Sequence, residues 1–169
     1  MGSTLYLLRH AKSSWADDSL ADRDRPLAPR GRRAAQRLAQ HFREHGIAPE
    51  VVLCSPALRT RQTLELIEPG LRGRTRVLVE DELYGAGAEQ LLLRLRRLEE
   101  AVDSALVIGH NPGIQDLAVL LVRGSAERAQ LRTHFPTAAL ATLAIAGGWR
   151  RLGRSGAQLV DFRVPPARS

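Results

Sequence analysis

The sequence predicts an α/β protein, a three-layer α/β/α sandwich around a mostly parallel central sheet with an antiparallel edge. Short β-branched or apolar runs alternate with longer segments of helical period, as in strands joined by crossover helices. Near the C-terminus two apolar runs flank a Gly147-Gly148 turn, which reads as a hairpin added to that sheet. The chain has 169 residues, 44% of them hydrophobic and 25% charged, which suits one domain with one buried core. Residues 1–164 are expected to form that domain, and 165–169 a flexible tail.

Thr4 to Leu8 reads as the first strand. The polar stretch from Ser13 to Asp24 fits neither period and is expected to be a long loop, a length that in compact domains tends to be functional. Pro29 opens a helix to about His45, with Ala34, Leu38, Ala39 and Phe42 on one face and Gly46 as its stop. Val51 to Cys54 is a second strand. Pro56 opens a helix to Ile67 that ends at Glu68-Pro69-Gly70, and Arg76 to Val79 is a third strand. Gly85 and Gly87 mark a turn. Glu89 to Ala101, with leucines at 91, 92, 95 and 98, is a helix, and Ser104 to Ile108 a fully buried strand. Pro112 to Val122 is the next helix, and Ala138 to Ala146 and Gln158 to Val164 are the hairpin strands. There is no internal repeat.

Composition excludes several classes. Disorder, collagen and disulfide scaffolds do not fit. No uncharged apolar run approaches the roughly 20 residues needed to span a bilayer, Arg9 and Lys12 interrupt any signal-peptide core, and Tyr6 stands where myristoylation requires Ser or Thr. A cytoplasmic, membrane-independent protein is expected. The single cysteine, Cys54, has no partner for a disulfide or a zinc site, and no metal or cofactor is expected. The net charge of +7 comes from 25 basic against 18 acidic residues, with Lys12 the only lysine. Arginine excess can reflect GC-rich coding, phosphate recognition or nucleic-acid binding. With 4% aromatic residues and arginines in every segment, nucleic acid is not an expected partner.

In an open α/β sheet the chemistry sits beyond the carboxyl ends of the strands. Three candidate ends carry unusual residues: Leu8-Arg9-His10-Ala11, Cys54-Ser55-Pro56 with Arg59 a turn later, and Gly109-His110-Asn111-Pro112. Singly, each histidine reads as a polar strand cap and Arg59 as a solvated helix residue. If the three strands are neighbours, however, two histidines and two arginines converge beside two helix N-termini, which is a phosphate site by composition. His41, His45 and His134 have no such setting and are expected at the surface or at helix ends.

Leu8-Arg9-His10-Ala11 resembles the signature of the histidine phosphatase superfamily, whose larger members include phosphoglycerate mutases. Further segments are similar to its short SixA-type branch, the phosphohistidine phosphatases. These are Lys12-Ser13, Arg25-Pro26-Leu27 with Arg30-Gly31, Ser55-Pro56 with Arg59 and Gln62-Thr63, Gly109-His110-Asn111-Pro112, and Pro136-Thr137. The resemblance covers almost the whole chain and implies a phosphoglycerate mutase-like fold. It implies a catalytic set of His10, Arg9, Arg59 and His110, in which neutral His10 attacks phosphorus and an acceptor such as a backbone carbonyl fixes its tautomer. Arg9, Arg59 and His110 would bind the transferring oxygens without metal, with backbone N–H groups near Asn111 and Ser55 as further donors.

Two departures narrow the substrate. Larger members supply a glutamate proton donor in a Leu-x-Glu context, where this chain reads Glu82-Leu83-Tyr84-Gly85, so Glu82 is a possible donor and Gly85 holds the usual place. A weak acid suits the labile P–N bond of phosphohistidine better than an alkoxide ester. The chain also has no room for a capping insertion, so the site can admit a residue on a folded phosphoprotein such as a histidine phosphotransfer domain. Asn111, Ser14 and Trp15 are the expected further substrate contacts. A phosphatase for a small phosphorylated metabolite, with the same nucleophile, is the alternative, and an inactive phosphate-binding regulatory module is a second. Cys54 to Arg59 does not make a tyrosine-phosphatase loop: the spacing is one residue short and Pro56 removes a needed N–H.

Overall fold

The computed structural model describes residues 2–166. Six strands form one sheet in the order β3-β2-β4-β1-β5-β6, with β1 at Ser3–Arg9, β2 at Val51–Cys54, β3 at Arg76–Val79, β4 at Ser104–Gly109, β5 at Leu140–Ile145 and β6 at Ala157–Arg163. β1, β2, β3 and β4 run parallel, and β5 lies antiparallel to both β1 and β6. This is the predicted mostly parallel sheet with its antiparallel edge.

Helices cover both faces because the strands are apolar on both. α1 (Pro29–His45) and α2 (Leu58–Ile67) pack Leu38, Phe42, Leu64 and Ile67 against Leu8, Val52, Leu106 and Ile108. On the other face, α3 (Ala88–Arg96), α4 (Gly113–Leu121) and α5 (Ser125–Thr133) cover Leu5, Leu7, Leu53, Val107 and Leu143. Fully buried Trp149 closes that core, its indole N–H donating to Val102 O at 2.8 Å. Among the described residues, no helix is long and apolar enough to cross a membrane.

Several expected boundaries move. The second helix starts at Leu58 rather than Pro56, because Ala57 is extended (φ −58°, ψ 146°) and the Thr60 hydroxyl binds the Ser55 and Ala57 carbonyls. α3 ends at Arg96 instead of Ala101: the N–H groups of Arg97 and Leu98 bond back to Arg94 and Leu95, tightening the last turn. Pro112 caps α4 rather than opening it. The expected first hairpin strand loses Ala138 and Ala139 to a turn, in which Ala138 takes a left-handed φ of 63°. α5 has no counterpart among the predicted elements, because Leu131 is its only buried residue and leaves no apolar stripe to read. Of the expected tail, residues 167–169 lie outside the described residues, while Pro165 and Pro166 border a small cavity with Lys12 and Thr137.

Candidate active site

The parallel register aligns the strand ends. Arg9 pairs with Gly109 and Cys54 with Ile108, so the next residues, His10, His110 and Ser55, emerge side by side from β1, β4 and β2. The His10 N–H donates to Gly109 O at 3.1 Å, and the two imidazole centroids are 5.3 Å apart. The Ala138 N–H reaches the carbonyls of both Arg9 and His10 at 3.0 Å, which clasps the end of β1 from the β5 side.

His10 is 7% exposed, and its Nδ1 lies 2.7 Å from Ala11 O. A carbonyl only accepts, so Nδ1 carries the proton and neutral His10 keeps its lone pair on Nε2. Burial above all, with His110 and the two arginines adding to it, lowers its pKa to about 3 against the partial opposition of the Ala11 carbonyl. The Ala11 N–H donates to Thr63 Oγ1 at 3.0 Å, so α2 holds the residue that fixes the nucleophile candidate's ring.

His110 is neutral by the same logic. Its Nδ1 faces the Arg59 guanidinium at 3.3 Å and must accept, so Nε2 donates to Ser55 Oγ at 2.7 Å. Burial and Arg59 lower its pKa to about 4. Arg9 donates to Phe135 O at 3.1 Å, and Nε of both Arg9 and Arg59 is buried without a partner among the described residues. Buried guanidinium N–H groups lacking an acceptor are costly unless an anion supplies one.

The other predicted contacts divide. Asn111 borders the pocket, but its amide is used structurally, donating to Phe135 O at 2.9 Å and accepting from the Gln115 N–H. Trp15 stands at the rim, 71% exposed, with the Arg25 guanidinium 3.6 Å above its ring. Ser14 is not brought to the site, since its hydroxyl accepts the Ala16 N–H. The Ser55 N–H is occupied by Ile108 O and is not the expected free donor. Glu82 is not brought there either: it pairs with Arg97 at 2.8 Å on the exposed α3 side.

The carboxylate at the site is Asp22. Arg59 donates to its backbone oxygen at 2.8 Å and to Oδ2 at 3.0 Å, and the Tyr84 hydroxyl donates to the same Oδ2. Tyr84 foremost, with Arg59 and Arg25, lowers the Asp22 pKa to about 2. Arg25, 7% exposed, ties Asp22 Oδ1 to Ser13 Oγ and Ser14 O, making the loop a clasp across the pocket. Sequence reasoning missed Asp22, Tyr84 and the clasping role of Arg25, because irregular loops carry no period; the one signal was Asp22 lying three residues before the Arg25-Pro26-Leu27 segment. The resulting pocket holds about 240 Å³, with Lys12, Ser13 and Thr137 among its walls.

Fold and pocket define a class: an open α/β enzyme-like scaffold whose strand ends present two neutral histidines beside buried Arg59 and half-buried Arg9. Residues 5–86 match the histidine phosphatase superfamily (branch 1). The chain is 31% identical over 143 residues to the phosphohistidine phosphatase SixA of Escherichia coli, covering 83% of this chain and 84% of that one. It superimposes on a candidate phosphohistidine phosphatase SixA from Nakamurella multipartitia with TM-score 0.86 at 36% identity, covering 99% of this chain and 98% of that one. An uncharacterized protein of Mycobacterium tuberculosis is 38% identical over 162 residues, covering 94% of this chain and 99% of the relative. The chain belongs to the histidine phosphatase superfamily, and the structures similar to it include SixA-type proteins.

Proposed function

We propose that this chain is a phosphatase that removes the phosphoryl group of phosphohistidine in proteins through His10. The observation that carries the proposal is the His10 ring: Nδ1–H bound to Ala11 O at 2.7 Å, the lone pair left on Nε2, and the imidazole neutral because burial lowers its pKa to about 3. Nε2 attacks phosphorus in line, the P–N bond to the substrate imidazole breaks, and that imidazole leaves with a proton from solvent. Water then attacks phospho-His10, the His10–phosphorus bond breaks, and inorganic phosphate is released as Nε2 regains its lone pair. Arg9 and Arg59 donate to the transferring oxygens, and His110, whose one N–H is given to Ser55, accepts from Arg59 and so positions that guanidinium. Asn111 acts behind them as a positioning residue.

Phosphohistidine is favoured over an alkoxide ester by the state of the nearby carboxylates. Asp22 is held ionised with its pKa lowered to about 2, and Glu82 is paired with Arg97 away from the pocket. Ionised Asp22 has no proton to give and Glu82 lies out of reach, and an imidazole leaving group needs that help least. The exposed Trp15 rim suits a substrate presented on a protein surface. The test compares loss of phosphate from a histidine-phosphorylated phosphotransfer protein with hydrolysis of sugar and nucleotide phosphates, for the native chain and His10→Ala. Faster His10-dependent loss from the protein supports the proposal. Hydrolysis of the small esters alone favours the metabolite phosphatase, and binding without turnover favours the regulatory module.

A further inference from the structure

α1 and α2 do not cover their whole face of the sheet. On β5 that face passes from Leu140, inside the core, to Thr142, which lines an open groove. The groove holds about 560 Å³, more than twice the 240 Å³ of the strand-end pocket. Its floor is Tyr6, Thr142, Asp161, Phe162 and Arg163, and its wall is the end of α1 with His41, His45 and Ile47. The volume lies within the roughly 300–1,000 Å³ typical of small-molecule sites.

The groove has an unbalanced polar inventory. Arg37, His41 and His45 stand at i, i+4 and i+8 on α1 and share one face. Arg37 Nε and NH2 and Arg163 NH1 are buried with no acceptor among the described residues. The two guanidinium groups also repel: burial first, and Arg37 second, lower the Arg163 pKa, while Asp161 raises it. His41 is lowered by burial and by Arg163 and His45, and raised by Asp161 and Glu44. The His41 and His45 rings lie 4.2 Å apart, and His45 Nδ1 lies 2.9 Å from His41 O, so Nδ1 donates and Nε2 is left for another partner. Tyr6 is kept protonated by its burial. Asp161 therefore acts on both Arg163 and His41. Among the described residues no cluster of His, Cys, Asp and Glu is disposed to hold a metal.

We propose that this groove binds a small organic anion, a single phosphate or carboxylate group on an apolar body, independently of the strand-end site. The anion lies against Arg163, gives its orphaned N–H an acceptor and relieves its repulsion with Arg37. The apolar body rests on Ile47 and the Tyr6 ring. A half-buried like-charged arginine pair with buried, unsatisfied donor atoms is expensive to keep, and an oxyanion lowers both costs in one contact.

The five histidines of the chain make the test site-resolved. In the full-length protein the imidazole NMR signals are followed during titration with phenylphosphonate and, separately, with inorganic phosphate. The site predicts saturable shifts of His41 and His45 at a phenylphosphonate concentration distinct from that moving His10 and His110, with weaker response to inorganic phosphate. It also predicts an upward shift of the His41 titration midpoint, since a bound anion favours the imidazolium. Arg163→Gln and Arg37→Gln should each weaken this response about tenfold or more, with the His10 and His110 responses unchanged as the control for folding. Non-saturating shifts of His41 and His45, equal affinity for the two probes, or a response indifferent to both substitutions would overturn the proposal.

Discussion

His10 is held neutral by the fold, and that has a thermodynamic cost that can be measured. Its folded pKa is lowered to about 3 from an ordinary 6.5, so as pH falls the unfolded chain takes up the proton first. The stability is intact above about pH 6.5 and is lost as pH falls towards 3, at about 1.4 kcal/mol per pH unit from this group alone. Urea unfolding between pH 7 and 4 should show the loss, and His10→Ala should flatten the slope. Asp22 gives a second prediction at this scale. Its carboxylate raises the Tyr84 pKa and also raises that of His110, so Asp22→Asn should lower both. An ultraviolet titration of the phenol and the His110 NMR midpoint read the two changes. Arg9, His10, Arg59 and His110 were legible in the sequence because each lies at or one turn beyond a strand end, where a parallel register dictates proximity. Asp22 and Tyr84 were not, because their meeting depends on how two irregular loops close.

At the scale of elements, one arginine and two glycines hold the site's frame. Arg25 binds Ser13, Ser14 and Asp22 and stacks on Trp15. Arg25→Ala should release the loop from Ser13 to Asp24, with faster proteolysis within it, a red shift of Trp15 emission and a stability loss of about 1–3 kcal/mol. Gly31, in the first turn of α1, lies where a Cβ would stand 2.1 Å from Lys12 O, and at Gly113 of α4 it would stand 2.0 Å from Ala86 O. Both contacts are with backbone, so Gly31→Ala and Gly113→Ala must push a helix away from the strand-end loops. Each should lower the thermal midpoint and kcat/KM together, with unfolding measured beside activity. The strands and long helices were legible from their periods, and the errors collected where side chains rather than periodicity set the boundary, as at Thr60 before α2, or where a helix buries one residue, as in α5.

At the scale of the molecule, the two faces of the sheet do different work. One is closed by three helices, whereas the other is closed by two and leaves a groove beside β6. The strand-end pocket lies apart from that groove, under the Asp22 clasp and beside an exposed Trp15. The sheet order and antiparallel edge followed from alternating elements and the hairpin, but the uncovered strip did not, since it depends on where α1 lies across the strands.

The central claim is that His10 carries the phosphoryl group between substrate and water. The most direct measurement is rapid quenching of the reaction with a histidine-phosphorylated phosphotransfer protein, followed by peptide mass spectrometry under alkaline conditions that preserve phosphohistidine. The account predicts transient phosphate on His10 Nε2, decaying as inorganic phosphate appears and absent from His10→Ala. Turnover with no label on His10, or label on any other residue, would contradict it.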